Sequence, residues 1–108
     1  MEVAMGYYTD YGLTMIGPED EQDKIREELR SLGMVELADE DSMSAKWYNH
    51  EEDMSRIAKK YPNVLIRLSG CGEEQDDIWE KRWKGKHFEH HWMEMPSFTN
   101  PELLINNK

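Results

Sequence analysis

Two runs of bulky side chains meet at one glycine: residues 78–84 read IWEKRWK, residues 86–95 read KHFEHHWMEM, and Gly85 stands between them. Side chains along a strand alternate between faces, so Trp79 and Trp83 share one side of the first arm, and Phe88 and Trp92 share one side of the second. Alternating runs separated by a glycine predict a β-hairpin. Its aromatic side is expected to cover a sheet built by the rest of the chain.

That sheet is legible upstream. Val3, Met5, Tyr7, Tyr11, Leu13 and Met15 alternate through residues 3–16, a first strand bent at Gly6 or Gly12. Pro18 suits the first position of a helix, and Glu19, Asp20, Glu21 and Asp23 lie at the positive end of its dipole. Ile25, Leu29 and Leu32 continue it, with Gly33 as its stop. Residues 34–38 and 43–48 read as extended segments, separated by a loop of Asp39, Glu40, Asp41 and Ser42. Asn49 with Glu52 predicts a capping box, and Met54, Ile57, Ala58 and Tyr61 form a buried stripe up to Pro62. Val64, Ile66 and Leu68 read as an interior strand ending at Gly70.

The order strand, helix, strand, helix, strand, hairpin predicts an α+β fold: a ferredoxin-like antiparallel sheet with two helices on one face and a C-terminal β-hairpin. Residues 1–95 are expected to form that single domain and residues 96–108 a tail, since 108 residues suffice for one core and not for two. Asp and Glu number 23 against 13 Lys and Arg, a formal charge of -10 that opposes direct contact with nucleic-acid phosphates or an anionic membrane surface. One cysteine excludes an internal disulfide and suits a reducing, cytoplasmic setting. No export signal or membrane-length apolar run is visible.

Within residues 46–86, Trp47 precedes a helix containing Glu52, Asp53 and Met54. The Tyr61-Pro62 stop, the Gly-x-Gly-Glu-Glu turn at 70–74, and Asp77-Ile78-Trp79 leading to Gly85-Lys86 follow. This block resembles the ferredoxin-like domain of small YubB-like proteins of phages and plasmids. The matching residues are scaffold features, and the resemblance implies no catalytic residue. It implies a mobile-element origin, a source from which a small acidic protein is expected to inhibit host defence, as anti-CRISPR proteins do. Cys71 stands where a charged or polar residue is expected between the two glycines.

Candidate chemistry is sparse. The Cys71 thiol is followed by Glu73, Glu74, Asp76 and Asp77, which disfavour a thiolate, so no catalytic role is assigned. His87, Glu89 and His91 share a strand face with metal-ligand chemistry, yet a solvated outer face is the plainer reading, and no metal or cofactor is expected. Trp79, Trp83, Phe88 and Trp92 beside Lys81, Arg82, Lys84 and Lys86 could stack on bases, but the overall charge argues against direct nucleic-acid binding and favours an aromatic face that covers the sheet.

Carboxylates concentrated in loops repel one another, a cost that becomes useful when a basic partner neutralises them. The expected partner-binding set is therefore Asp39, Glu40, Asp41, Glu73, Glu74, Asp76 and Asp77, with Trp47, Tyr48 and Trp83 as aromatic anchors. The expected partner is a basic host protein, a CRISPR-Cas effector, whose nucleic-acid groove the molecule would occlude. The competing expectation is an accessory domain whose charge confers solubility and which dimerises, if at all, through a sheet edge.

Overall fold

The computed structural model describes residues 7–74 and 77–92. In chain order they form β1 (Thr9–Ile16), α1 (Glu19–Ser31), α2 (Val35–Glu40), β2 (Ser42–Ala45), α3 (His50–Lys60), β3 (Leu65–Cys71), β4 (Ile78–Lys84) and β5 (His87–Trp92). The five strands make one sheet in the order β2-β1-β3-β4-β5, with every neighbouring pair antiparallel. The fold is α+β, with three helices where two were expected. Because β2 and β3 both run antiparallel to β1 between them, they are parallel to each other, and β2-α3-β3 is a split β-α-β unit.

The first strand begins at Thr9; the expected residues 3–6 lie outside the described residues, as do Asp76, residues 93–95 and the tail 96–108. Alternation then does what the pattern predicts. Tyr11 and Leu13 in β1, Ile66 and Leu68 in β3, and Trp79 and Trp83 in β4 are buried, together with Ile25, Leu29, Leu37, Met54 and Ile57 from the helices, in one cluster. Intervening positions such as Thr14, Ser69 and Lys84 are exposed.

Residues 35–40 correct the expectation of a strand. Val-Glu-Leu-Ala-Asp-Glu is a short run dominated by good helix formers. Gly33, at φ 90, breaks α1 just before it, and Asp41, at φ 67, closes α2 in the left-handed region that Asp tolerates. Arg26 reaches across from α1 and donates to the Ala38 carbonyl at 2.6 Å and to Asp41 Oδ1 at 2.7 Å, tying the two helices together. Asp39 and Glu40 are thus helical, Ser42 opens β2, and only Asp41 remains of the expected acidic loop.

Two cap expectations also change. Pro18 is the N-cap of α1 rather than its first helical residue, with Gln22 N–H donating to its carbonyl. Asn49 does occupy the N-cap of α3, but its side chain makes no capping bond. The hairpin is as expected: Lys84 pairs with His87 across Gly85-Lys86, and Gly85 takes φ 60, as a two-residue primed turn requires.

Candidate functional site

Charge is distributed unevenly along the chain. Residues 1–53 hold fifteen carboxylates against four Lys and Arg, whereas residues 54–108 hold eight against nine. β2 and β1, with α1 and α2 between them in sequence, form one flank of the sheet and β3, β4 and β5 the other, while Glu51 at the start of α3 reaches Lys81 of β4 and α1 reaches Lys60 and Asn63 through Glu28 and Glu21. Within the acidic half some carboxylates are neutralised: Arg26 pairs with Asp41 at 2.7 Å, Arg30 with Asp39 at 2.8 Å, and Lys60 with Glu28 at 3.0 Å. Glu19, Asp20, Asp23 and Glu27 on α1 and Glu36 and Glu40 on α2 are exposed and have no Lys or Arg ion pair among the described residues. Helical positions four apart lie about 5–6 Å from each other, so Glu19, Asp23 and Glu27 form a continuous anionic stripe.

The sequence-predicted partner residues fall into three groups. Trp47 and Trp83 are core side chains, 5% and 1% exposed, whose indole N–H groups donate to Asp53 Oδ2 at 2.7 Å and Ser55 Oγ at 2.9 Å. With both faces and the polar handle engaged internally, neither is a surface anchor. Tyr48 is exposed, and its hydroxyl accepts from Tyr7 N–H at 2.9 Å. The 71–77 turn is fastened to the same lead-in: Tyr7 O–H donates to Asp77 Oδ2 at 2.9 Å and accepts from Glu74 N–H at 2.8 Å, while Tyr8 N–H donates to Glu73 Oε2 at 2.8 Å. Asp39 and Asp41 are held by arginines, and Glu40 alone of that trio is both exposed and outside any Lys or Arg pair among the described residues. Registers of Gly12 with Ser42 and Asp10 with Cys71 put the two acidic turns on opposite flanks of β1, so they do not merge into one patch.

A cluster that sequence reasoning missed lies under β4. Lys81 is 5% exposed, and its ammonium lies 2.6 Å from Glu51 Oε2, 2.7 Å from His50 Nε2 and 4.4 Å from the Trp79 ring centroid. His50 stacks on Trp79 at 4.9 Å with 8° between planes, and its Nδ1 lies 2.9 Å from the Trp47 carbonyl. These partners fix one tautomer: Nδ1–H donates to the carbonyl, and Nε2 accepts from the ammonium. Burial pushes the His50 pKa down and the adjacent Lys81 charge adds to this, while Lys81 holds the Glu51 carboxyl below its usual range. Ion pairing, the imidazole acceptor and the indole face together compensate a buried cation, a structural role. The signal was present in WEKRW, whose alternation sets Lys81 on the same face as Trp79 and Trp83.

The unfolded chain protonates its histidines near pH 6.5, whereas folded His50 stays neutral to lower pH. His90, also pushed down by burial, acts in the same direction. Below pH 6.5 the unfolded state therefore binds more protons, and stability falls by up to about 1.4 kcal/mol per pH unit for His50, with a smaller contribution from the solvent-exposed His90. Denaturation midpoints are expected to drop between pH 7 and 5.5, above the window in which Glu51 protonates, and His50→Gln should make the drop shallower. A flat or rising profile would exclude the cluster as drawn.

On the outer side of β5, Glu89 accepts from both neighbours, with its oxygens 2.8 Å from His87 Nε2 and 2.9 Å from His91 Nε2. Those two hydrogen bonds hold its pKa down to about 2. No group of three His, Cys, Asp or Glu among the described residues is disposed to hold a metal ion. The inner side of β5 departs from expectation: Phe88 and Trp92 are 40% and 62% exposed, so of the hairpin's two arms β4 is the one that supplies buried aromatics.

No protein-family model, no curated protein and no solved structure matches the chain. No helix among the described residues is long and apolar enough to cross a membrane.

Proposed function

We propose that this is a non-catalytic, acidic inhibitor that docks in the basic nucleic-acid groove of a host defence nuclease inside the bacterial cell, a CRISPR-Cas effector being the first partner to test. The observation that carries the reading is the set of exposed carboxylates Glu19, Asp20, Asp23, Glu27, Glu36 and Glu40, on two helices braced by the Arg26 contacts to Ala38 and Asp41. An array of anions on a stiff scaffold mimics a phosphate backbone, steers a cationic groove into register and raises the association rate. The exposed Tyr48, joined through Tyr7 to the turn that carries Glu73 and Glu74, offers a separate second contact. We read the scaffold as a ferredoxin-like variant with its helices on one face, in support of which stands the split β2-α3-β3 unit.

Competition supplies the test. At saturating protein, binding of labelled target DNA by the purified effector is expected to be lost. A variant carrying Glu19→Gln, Asp20→Asn, Asp23→Asn and Glu27→Gln should fold normally, because all four side chains are exposed, and should need at least about tenfold more protein for the same effect if each charge contributes a few tenths of a kcal/mol. Undiminished DNA binding across candidate effectors would overturn the proposal and favour an accessory domain with a merely solubilising charge.

A further inference from the structure

We propose that the β4–β5 hairpin is a second interaction surface, opposite in charge to the first, that takes single-stranded nucleic acid. Trp83 pairs in register with Phe88, Lys81 with His90, and Trp79 with Trp92, so the β5 members of these pairs project to the side on which the β4 residues are buried. Trp83 is sealed there by Ser55 of α3, but β5 lies past that cover, leaving Phe88 40% and Trp92 62% exposed. His90 sits between them, its ring 4.9 Å from that of Trp92. Alternate strand positions are spaced about 6–7 Å apart, giving a row of three flat rings facing solvent.

Cations lie at the turn end of this row. A side chain at Gly85 would lie 3.4 Å from Pro62, so the hairpin turn stands against the segment that leaves α3. Lys84 and Lys86 are thereby brought to the end of α3 that carries Lys59 and Lys60. Lys59, Lys84 and Lys86 are exposed with no ion pair among the described residues, and residues 54–70 contain no Asp or Glu at all. Exposed aromatic rings on β5, with Lys59 and Lys86 at the turn end of the hairpin, complement a chain that combines phosphates with unstacked bases. A duplex keeps its bases stacked inside and offers such a row little to bind. Glu51 approaches this face from the start of α3, but it is paired with the Lys81 ammonium at 2.6 Å, and residues 54–70 contribute no carboxylate. The proposal does not depend on the inhibitor reading.

Fluorescence anisotropy of labelled fifteen-nucleotide oligothymidine and oligouridine, titrated with the full chain at low salt, is the test; binding of either supports the proposal, and the difference between them separates DNA from RNA. Phe88→Ala with Trp92→Ala should weaken binding at least tenfold while leaving the thermal unfolding curve in place, since both side chains are exposed. Lys84→Glu with Lys86→Glu should weaken it and flatten its dependence on salt. The idea is overturned by absence of binding at tens of micromolar protein, by equal affinity of the aromatic double variant, by preference for duplex of the same length, or by sedimentation showing a dimer that Trp92→Ala dissociates.

Discussion

Trp83→Ala is expected to cost about 3–5 kcal/mol, a large share of the stability of a domain whose total is on the order of 5–15 kcal/mol. Trp83 is 1% exposed near the C-terminal end of β4, pairs with Ile66 of β3, has the Phe88 ring 5.2 Å away and donates its indole N–H to Ser55 Oγ. Truncation leaves a cavity between sheet and α3 that neighbouring backbone cannot fill, and orphans the serine hydroxyl. Urea unfolding should show a large fall in midpoint with little change in slope. Trp83→Phe should recover most of the loss and leave partner binding unchanged, because the side chain reaches no surface. A cost below about 1 kcal/mol would be typical of a surface position and incompatible with this core.

Gly70→Ala follows, at about 1–3 kcal/mol or more, by overpacking. A Cβ at Gly70 would fall within 3.0 Å of Cζ2, Cε2 and Cη2 of Trp79, its partner across the β3–β4 ladder. The indole has no room to retreat: His50 stacks on it, Tyr11 meets it edge-on with centroids 6.1 Å apart, and the Lys81 ammonium sits over it. Gly70→Ala is therefore expected to cost much less when Trp79→Leu is already present, and the double-mutant cycle measures that coupling. Additive effects in the cycle would mean that the two residues do not meet.

Local features of the fold were legible, and long-range ones were not. Gly85 announced the hairpin, Pro62 the end of α3, and the Ile66-Leu68 alternation the interior strand, because each rests on backbone geometry or side-chain period within a few residues. Residues 34–38 misled because a run of five does not distinguish strand from helix by period, while the αL residue at Asp41 that ends α2 is a less certain signal than glycine. The aromatic anchors failed for a related reason: Trp47 and Trp83 are as apparent in the sequence as Trp92, but which of them α3 covers is set by tertiary packing.

Charge followed the same division. That carboxylates crowd the first 53 residues can be counted directly, whereas their neutralisation cannot, since Arg26 and Asp41 are fifteen positions apart and Arg30 and Asp39 nine. Pairing moved the best candidate anions from the predicted turns to the α1 stripe and Glu40. The 71–77 turn, which read as an isolated acidic loop, is bound to Tyr7 and Tyr8 across more than sixty positions of chain. Glu73 and Asp77 thus have structural partners as well as charge.

The most direct measurement is the affinity for a purified effector as a function of salt, for the natural chain and for the α1 variant lacking charge at residues 19, 20, 23 and 27. Docking through the anionic stripe predicts a Kd that rises steeply between 50 and 300 mM salt for the natural chain and a shallower rise for the variant. Equal affinities and parallel salt curves for the two proteins would contradict it.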